Sequence, residues 1–171
     1  VGTPVGPFLD SLADVASFGV APAVLVHAIA TGSGSIETDS ALAIVVLVIP
    51  ALYVSIAVVR LGFYMLDHGD RPETEGVQTT LAATVLAVAV LAGVGDPMVL
   101  VGSTALFTYL MIAPVTYPDL YARDSLILGG LQALAVSLPT AGNRVFPRSL
   151  LIFAVAYLVL APFVYWRETS A

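Results

Sequence analysis

An all-α, polytopic transmembrane bundle is the fold class this sequence predicts, and three observations carry it. Of the 171 residues, 58% are hydrophobic and 11% are charged, against roughly 25% charged in an average soluble domain. The apolar residues, mostly Ala, Val and Leu, gather into runs about as long as a helix needs to cross roughly 30 Å of hydrocarbon. Those runs lack the polar face that a helix on a soluble core would show.

Six spans are expected, at residues 7–30, 40–64, 77–94, 98–115, 125–138 and 147–166. The first opens with Pro7 in the permitted first turn, and Pro22 inside it predicts a kink. A polar loop with Glu37 and Asp39 follows. The second span is apolar apart from Ser55 and Arg60, and it leads into the most polar stretch of the chain, residues 67–76. His68 with Asp67 and Asp70 sits in that stretch beside Gly69 and Pro72, and reads as a solvated turn in preference to a metal cluster. Gly95-Asp96-Pro97 turns the third span into the fourth. Gln78, Thr79 and Thr80 open the third, as caps or as substrate contacts.

The fifth span is short and carries Gly129-Gly130, a candidate close-packing site. The sixth ends in Tyr165 and Trp166, as an interfacial belt does. Pro50, Pro114, Pro139 and Pro162 read as kinks or helix ends. His27, alone in the first span, reads as a packed or pore-facing residue. Residues 1–171 form one membrane domain with no soluble part and no internal repeat.

Arginine placement gives an orientation, because short cytoplasmic loops hold the excess of basic residues. With a cytoplasmic start, Arg60, Arg71, Arg123 and Arg167 lie inside and Arg144 and Arg148 outside. All six basic residues are arginine and the net charge is −6, which leaves no cationic footprint for nucleic acid. The absence of cysteine excludes disulfides, thiolate metal sites and cysteine nucleophiles. The chain opens at Val1 without a signal peptide pattern, and we expect it to be the cut edge of a longer protein.

Chemistry concentrates in the first span. Asp10 and Asp14 are four residues apart, with Gly6 four before and Ser17 three after, so on a 3.6-residue helix they form one stripe. An Asp at mid-membrane costs about 2.5–3.5 kcal/mol on translocon scales, and two of them one turn apart repel each other. Oxygen-only donors with no His on the stripe suit a hard divalent ion better than zinc. Such an ion pairs well with a diphosphate. Gly6 permits close approach of backbone or substrate. A proton- or cation-coupled transporter, with the pair near the midplane, is the alternative from another class.

Gly6-x-x-x-Asp10-x-x-x-Asp14 is similar to the end of the CDP-alcohol phosphatidyltransferase signature, D-x-x-D-G-x-x-A-R-x8-G-x-x-x-D-x-x-x-D. The flanking Leu9-Asp10-Ser11-Leu12-Ala13-Asp14-Val15 and Ser17-Phe18-Gly19-Val20-Ala21-Pro22-Ala23 resemble its phosphatidylserine synthase branch, including archaeal archaetidylserine synthases. Arg60-Leu61 is similar to the start of that branch's R-L-A-R-F-N segment, although Gly62-Phe63-Tyr64 follows here. The first half of the signature is absent from this chain.

The resemblance implies a phospholipid-biosynthetic transferase. It would move a phosphatidyl-type group from a CDP-linked lipid, CDP-diacylglycerol or its archaeal ether counterpart, to L-serine and release CMP. It implies Mg²⁺ or Mn²⁺ as cofactor, Asp10 as a metal ligand, and Asp14 as general base and second metal contact. Gly6, Ser17 and Arg60 are substrate-side candidates; Ser17 reads also as a helix-packing or back-bonded serine, and Arg60 equally as an anchor for the lipid phosphate or the serine carboxylate and as a snorkelling positive-inside arginine. The same chemistry with inositol phosphate or glycerol phosphate is the nearest alternative. A homodimer in the cell membrane, with its site facing the cytoplasm, completes the expectation. With half the signature absent, this chain alone is expected to be inactive.

Overall fold

The computed structural model describes residues 5–34, 41–66, 73–118 and 122–164. The His68 turn, the Glu37 and Asp39 loop, and Tyr165 and Trp166 lie outside the described residues. Six helical rods account for nearly all the rest. The first combines α1 (Gly6–Asp14), a π segment (Val15–Val20) and α2 (Ala21–Gly32). Then come α3 (Ala41–Leu66), α4 (Thr79–Ala92), α5 (Pro97–Ile112), α6 (Ala122–Ser137) and α7 (Ala141–Val164). A two-stranded antiparallel ribbon, β1 (Glu73–Glu75) with β2 (Thr116–Pro118), pairs Thr74 with Tyr117.

Three stretches are long and apolar enough to cross a membrane, Phe8–Gly32, Ala41–Phe63 and Ala141–Leu160. The apolar helices Thr79–Ala92, Pro97–Ile112 and Leu126–Ser137 are shorter. At about 1.5 Å per residue, α4 extends only some 20 Å. Each rod falls where a span was expected. The ribbon was not expected, since neither three-residue strand has a readable alternation.

α4 occupies the centre. Ala82, Ala83, Val85, Leu86, Val88 and Ala92 are all buried, more faces than one stripe provides, so neighbours surround it. Around it, α3, α5, α6 and α7 turn large apolar side chains outward, including Ile44, Phe63, Leu106, Leu126 and Ile152. Water would oppose such a surface and acyl chains would not. Gly129 and Gly130 are exposed with open space where a Cβ would sit, so the expected close packing at that pair is not made within this chain.

α3 holds the first rod along one stripe: Val46, Pro50, Tyr53 and Ala57 are buried, and Arg60 continues the line half-buried. A proline has no N–H for the carbonyl four residues before it, and an unpaired carbonyl in hydrocarbon is expensive. Pro22 deprives Phe18 in this way, and the Tyr53 hydroxyl donates to the Phe18 carbonyl at 3.0 Å. Pro50 deprives Val46, and His27 Nδ1 lies 3.2 Å from the Val46 carbonyl. A carbonyl only accepts, so His27 carries its proton on Nδ1. Each helix thus repairs the other, and the pairing of 18 with 53 and 27 with 46 makes α2 and α3 antiparallel.

Two further carbonyls find donors from other parts of the chain. Val77 N donates to the Leu110 carbonyl at 3.0 Å, one of the last-turn carbonyls of α5 that the end of the helix leaves without a partner. The Tyr117 hydroxyl reaches the Leu158 carbonyl at 3.4 Å, four before Pro162, while its ring packs on Tyr157. Burial raises the Tyr117 phenol above its ordinary pKa. The bond is therefore intact through the neutral range and weakens only as alkaline pH ionises the phenol.

Tyr53→Phe is expected to lower stability by about 1–3 kcal/mol, the usual consequence of a buried acceptor left unpaired. In a Pro22→Ala background, position 22 gains an N–H for the Phe18 carbonyl, and the penalty of Tyr53→Phe is expected to shrink by half or more. Unfolding of the four proteins in one detergent closes this double-mutant cycle. Equal penalties in both backgrounds would refute the repair.

Candidate functional site

The site begins where the first rod is least packed. Gly6 and Pro7 open α1, and Gly6, Asp10 and Asp14 lie at four-residue intervals along one face. Asp10 is exposed, and Gly6 and Asp14 are half-buried. None of the described side chains of α1 is buried, and Phe8, Leu9 and Leu12 are 60%, 60% and 65% exposed. Both carboxylates are therefore reachable from outside the bundle.

Directly after Asp14 the helix widens. Ala21 N donates to the Ala16 carbonyl, five residues back instead of four, and Pro22 supplies the cause, because its ring would crowd the Phe18 carbonyl in a regular turn. Such single-turn expansions are frequent at functional sites. Buried Gly19 faces α3, where a Cβ would come into contact with the Ala57 Cβ at 3.4 Å. The stripe expected from helical spacing holds through Asp14. Ser17 lies within the π segment, where 3.6-residue periodicity no longer sets its direction, and it is exposed.

Arg60 comes to the same end of the bundle in another role. Its Nη1 donates to the Met111 carbonyl at 2.9 Å and its Nη2 to the Gly76 carbonyl at 3.1 Å. Met111 is in the last turn of α5, where orphan carbonyls and the helix dipole both favour a cation. Gly76, at φ +74, leaves room for this: a Cβ there would collide with the Met111 carbonyl and lie 2.8 Å from Arg60 Nη1. Gly76 N also donates to the Val115 carbonyl at 2.7 Å. Arg60 thus ties α3 to the end of α5 and to the residue that follows β1.

Gln78 occupies the N-cap of α4 but makes no side-chain cap bond, and Thr79 is buried. Of the two functions expected for this stretch, capping by Gln78 is not found. The donor chemistry of Asp10 and Asp14 suits a hard divalent ion, which takes six or more oxygens. Among the described residues no group of three His, Cys, Asp or Glu side chains comes together. The pair is a partial shell, and substrate, water or residues beyond those described would have to complete it.

Compared with protein-family models and with curated proteins, the chain matches none. The functional reading therefore rests on its own residues. Sequence reasoning missed Tyr53 and the structural use of Arg60 and His27. For Tyr53 and His27 the signal was present: each is a polar residue in an apolar run, and a proline on the other helix leaves a carbonyl in want of a donor, whereas no proline frees the carbonyls that Arg60 meets.

Arg60→Gln is expected to destabilise the protein by about 2 kcal/mol without any substrate present, because two carbonyls lose a charged donor. Chemical denaturation in detergent measures it. An arginine held only for substrate would leave that value unchanged.

Proposed function

We propose that this protein is a membrane transferase that moves a phosphatidyl-type group from a CDP-linked lipid to L-serine and releases CMP. Its site would face the cytoplasm of the cell membrane, with α4, α5 and α6 completing six crossings. The observation that carries the reading is the accessible Asp10 and Asp14 pair, one turn apart on an unburied helix that widens immediately after it. The resemblance of residues 6–23 to the CDP-alcohol phosphatidyltransferase signature supports the same chemistry.

Asp10 and Asp14 would hold Mg²⁺ or Mn²⁺ by carboxylate oxygens. A divalent ion there supplies positive charge for the diphosphate of the CDP-lipid. Asp14, half-buried at the edge of the widened turn, would accept the serine hydroxyl proton. The serine oxygen then bonds to the lipid-bearing phosphorus as the bond to the CMP oxygen breaks, and CMP leaves with the electron pair. Gly6 would leave space beside Asp10 for the diphosphate. Because none of the described side chains of α1 is buried, both lipid and soluble serine could reach the pair.

The test is CMP release by the protein expressed from its complete gene and reconstituted in nanodiscs. CDP-diacylglycerol or its ether analogue would be offered with L-serine, inositol phosphate or glycerol phosphate. Serine-dependent CMP release that EDTA abolishes is expected, with Asp14→Asn lowering kcat at least about 100-fold. Turnover with another alcohol alone would move the acceptor. No CMP release with any alcohol would overturn the proposal.

A further inference from the structure

The end of the bundle remote from Asp10 carries the two remaining described arginines with a defined location. α4 stops there in a Schellman turn: Gly93 N, at φ 102, donates to the Val90 carbonyl at 3.0 Å, and Val94 N donates to the Ala89 carbonyl at 2.9 Å. Arg148 Nε is 3.5 Å from the Ala92 carbonyl. A Cβ on Gly93 would lie 2.5 Å from Arg144 Nη1, so the absence of a side chain makes the place for that guanidinium. Both arginine heads therefore converge on residues 92–93.

Their approach is enforced by the backbone. Gly142, Asn143 and Arg144 have φ of 54, 57 and 64, a left-handed run that crowds the Cβ against the following carbonyl at both residues that carry one. Such strain persists where the surroundings over-determine it, and it gathers at functional places. Among the described residues neither Arg144 nor Arg148 has a carboxylate partner, and beyond the long Arg148 bond their forks of donors are unspent. Asp96, three residues after Gly93, accepts at Oδ1 from Met98 N and Val99 N.

The surroundings are apolar and open. Leu138, Val145, Ile152 and Phe153 are all exposed, and Arg148 lies near the start of a helix long enough to span the bilayer. We propose that Arg144 and Arg148 bind the headgroup phosphate of an anionic phospholipid in the leaflet opposite the Asp10 end. Two guanidinium forks match phosphate oxygens, the net positive charge selects an anionic lipid, and the exposed apolar residues border its acyl chains. A free phosphate would gain nothing from those residues.

Native mass spectrometry of the detergent-extracted protein with phosphatidylglycerol or phosphatidylcholine tests this. Wild type is expected to retain phosphatidylglycerol roughly tenfold better, two arginines each favouring anionic lipid severalfold, and Arg144→Gln with Arg148→Gln should bring the two lipids to near parity. Equal retention by wild type, or an unchanged preference in a double variant that melts as wild type does, would overturn the site. Displacement of the lipid by millimolar inorganic phosphate would also overturn it in favour of a free-anion site. Should the double variant melt early, a photoactivatable phosphatidylglycerol on wild type decides: crosslinks within residues 138–153 support the site, and crosslinks elsewhere refute it.

Discussion

A proline inside a helix that faces lipid leaves one carbonyl with nothing to accept from, and the packing of this bundle follows from where the replacement donors come from. Phe18 accepts from Tyr53, Val46 from His27 and Leu158 from Tyr117. Each donor belongs to a different element from its acceptor. The bonds therefore act as cross-links, and a feature that would weaken an isolated helix fixes its neighbour's position and register. Hydrophobic burial alone would do this poorly, since acyl chains are as apolar as the side chains they would replace.

The widening after Asp14 belongs to the same constraint. Pro22 forces the turn open, Tyr53 donates to the freed Phe18 carbonyl, and Gly19 faces Ala57 of α3. Before the opening, none of the described side chains of α1, Asp10 and Asp14 among them, is buried. The candidate site is thus positioned by α3 at one turn's remove while the carboxylates remain accessible. Arg60, one turn beyond Ala57, fastens that end of α3 to α5.

The rods were legible in the sequence because apolar runs and Gly, Pro and Asp turns mark them plainly. Their membrane depth was less so: α4 falls in its expected span but is only 14 residues long. The ribbon was invisible because three-residue strands carry no period. Asp10 and Asp14 were legible as a pair, since charge in an apolar run stands out. For Ser17 the 3.6-residue spacing does not carry over, because the residue lies in the π segment Val15–Val20. Gln78 fits a cap position by sequence, but its side chain takes no part in one.

The reciprocal repair between α2 and α3 bears on how the chain enters the bilayer. Released singly into lipid, either helix would carry a bare carbonyl, at Phe18 or at Val46, whose replacement donor is on the other. Partition therefore favours delivery of residues 6–66 as a hairpin already closed. The first two helices would leave the translocation channel together, and the remaining rods would assemble on a scaffold whose register is set.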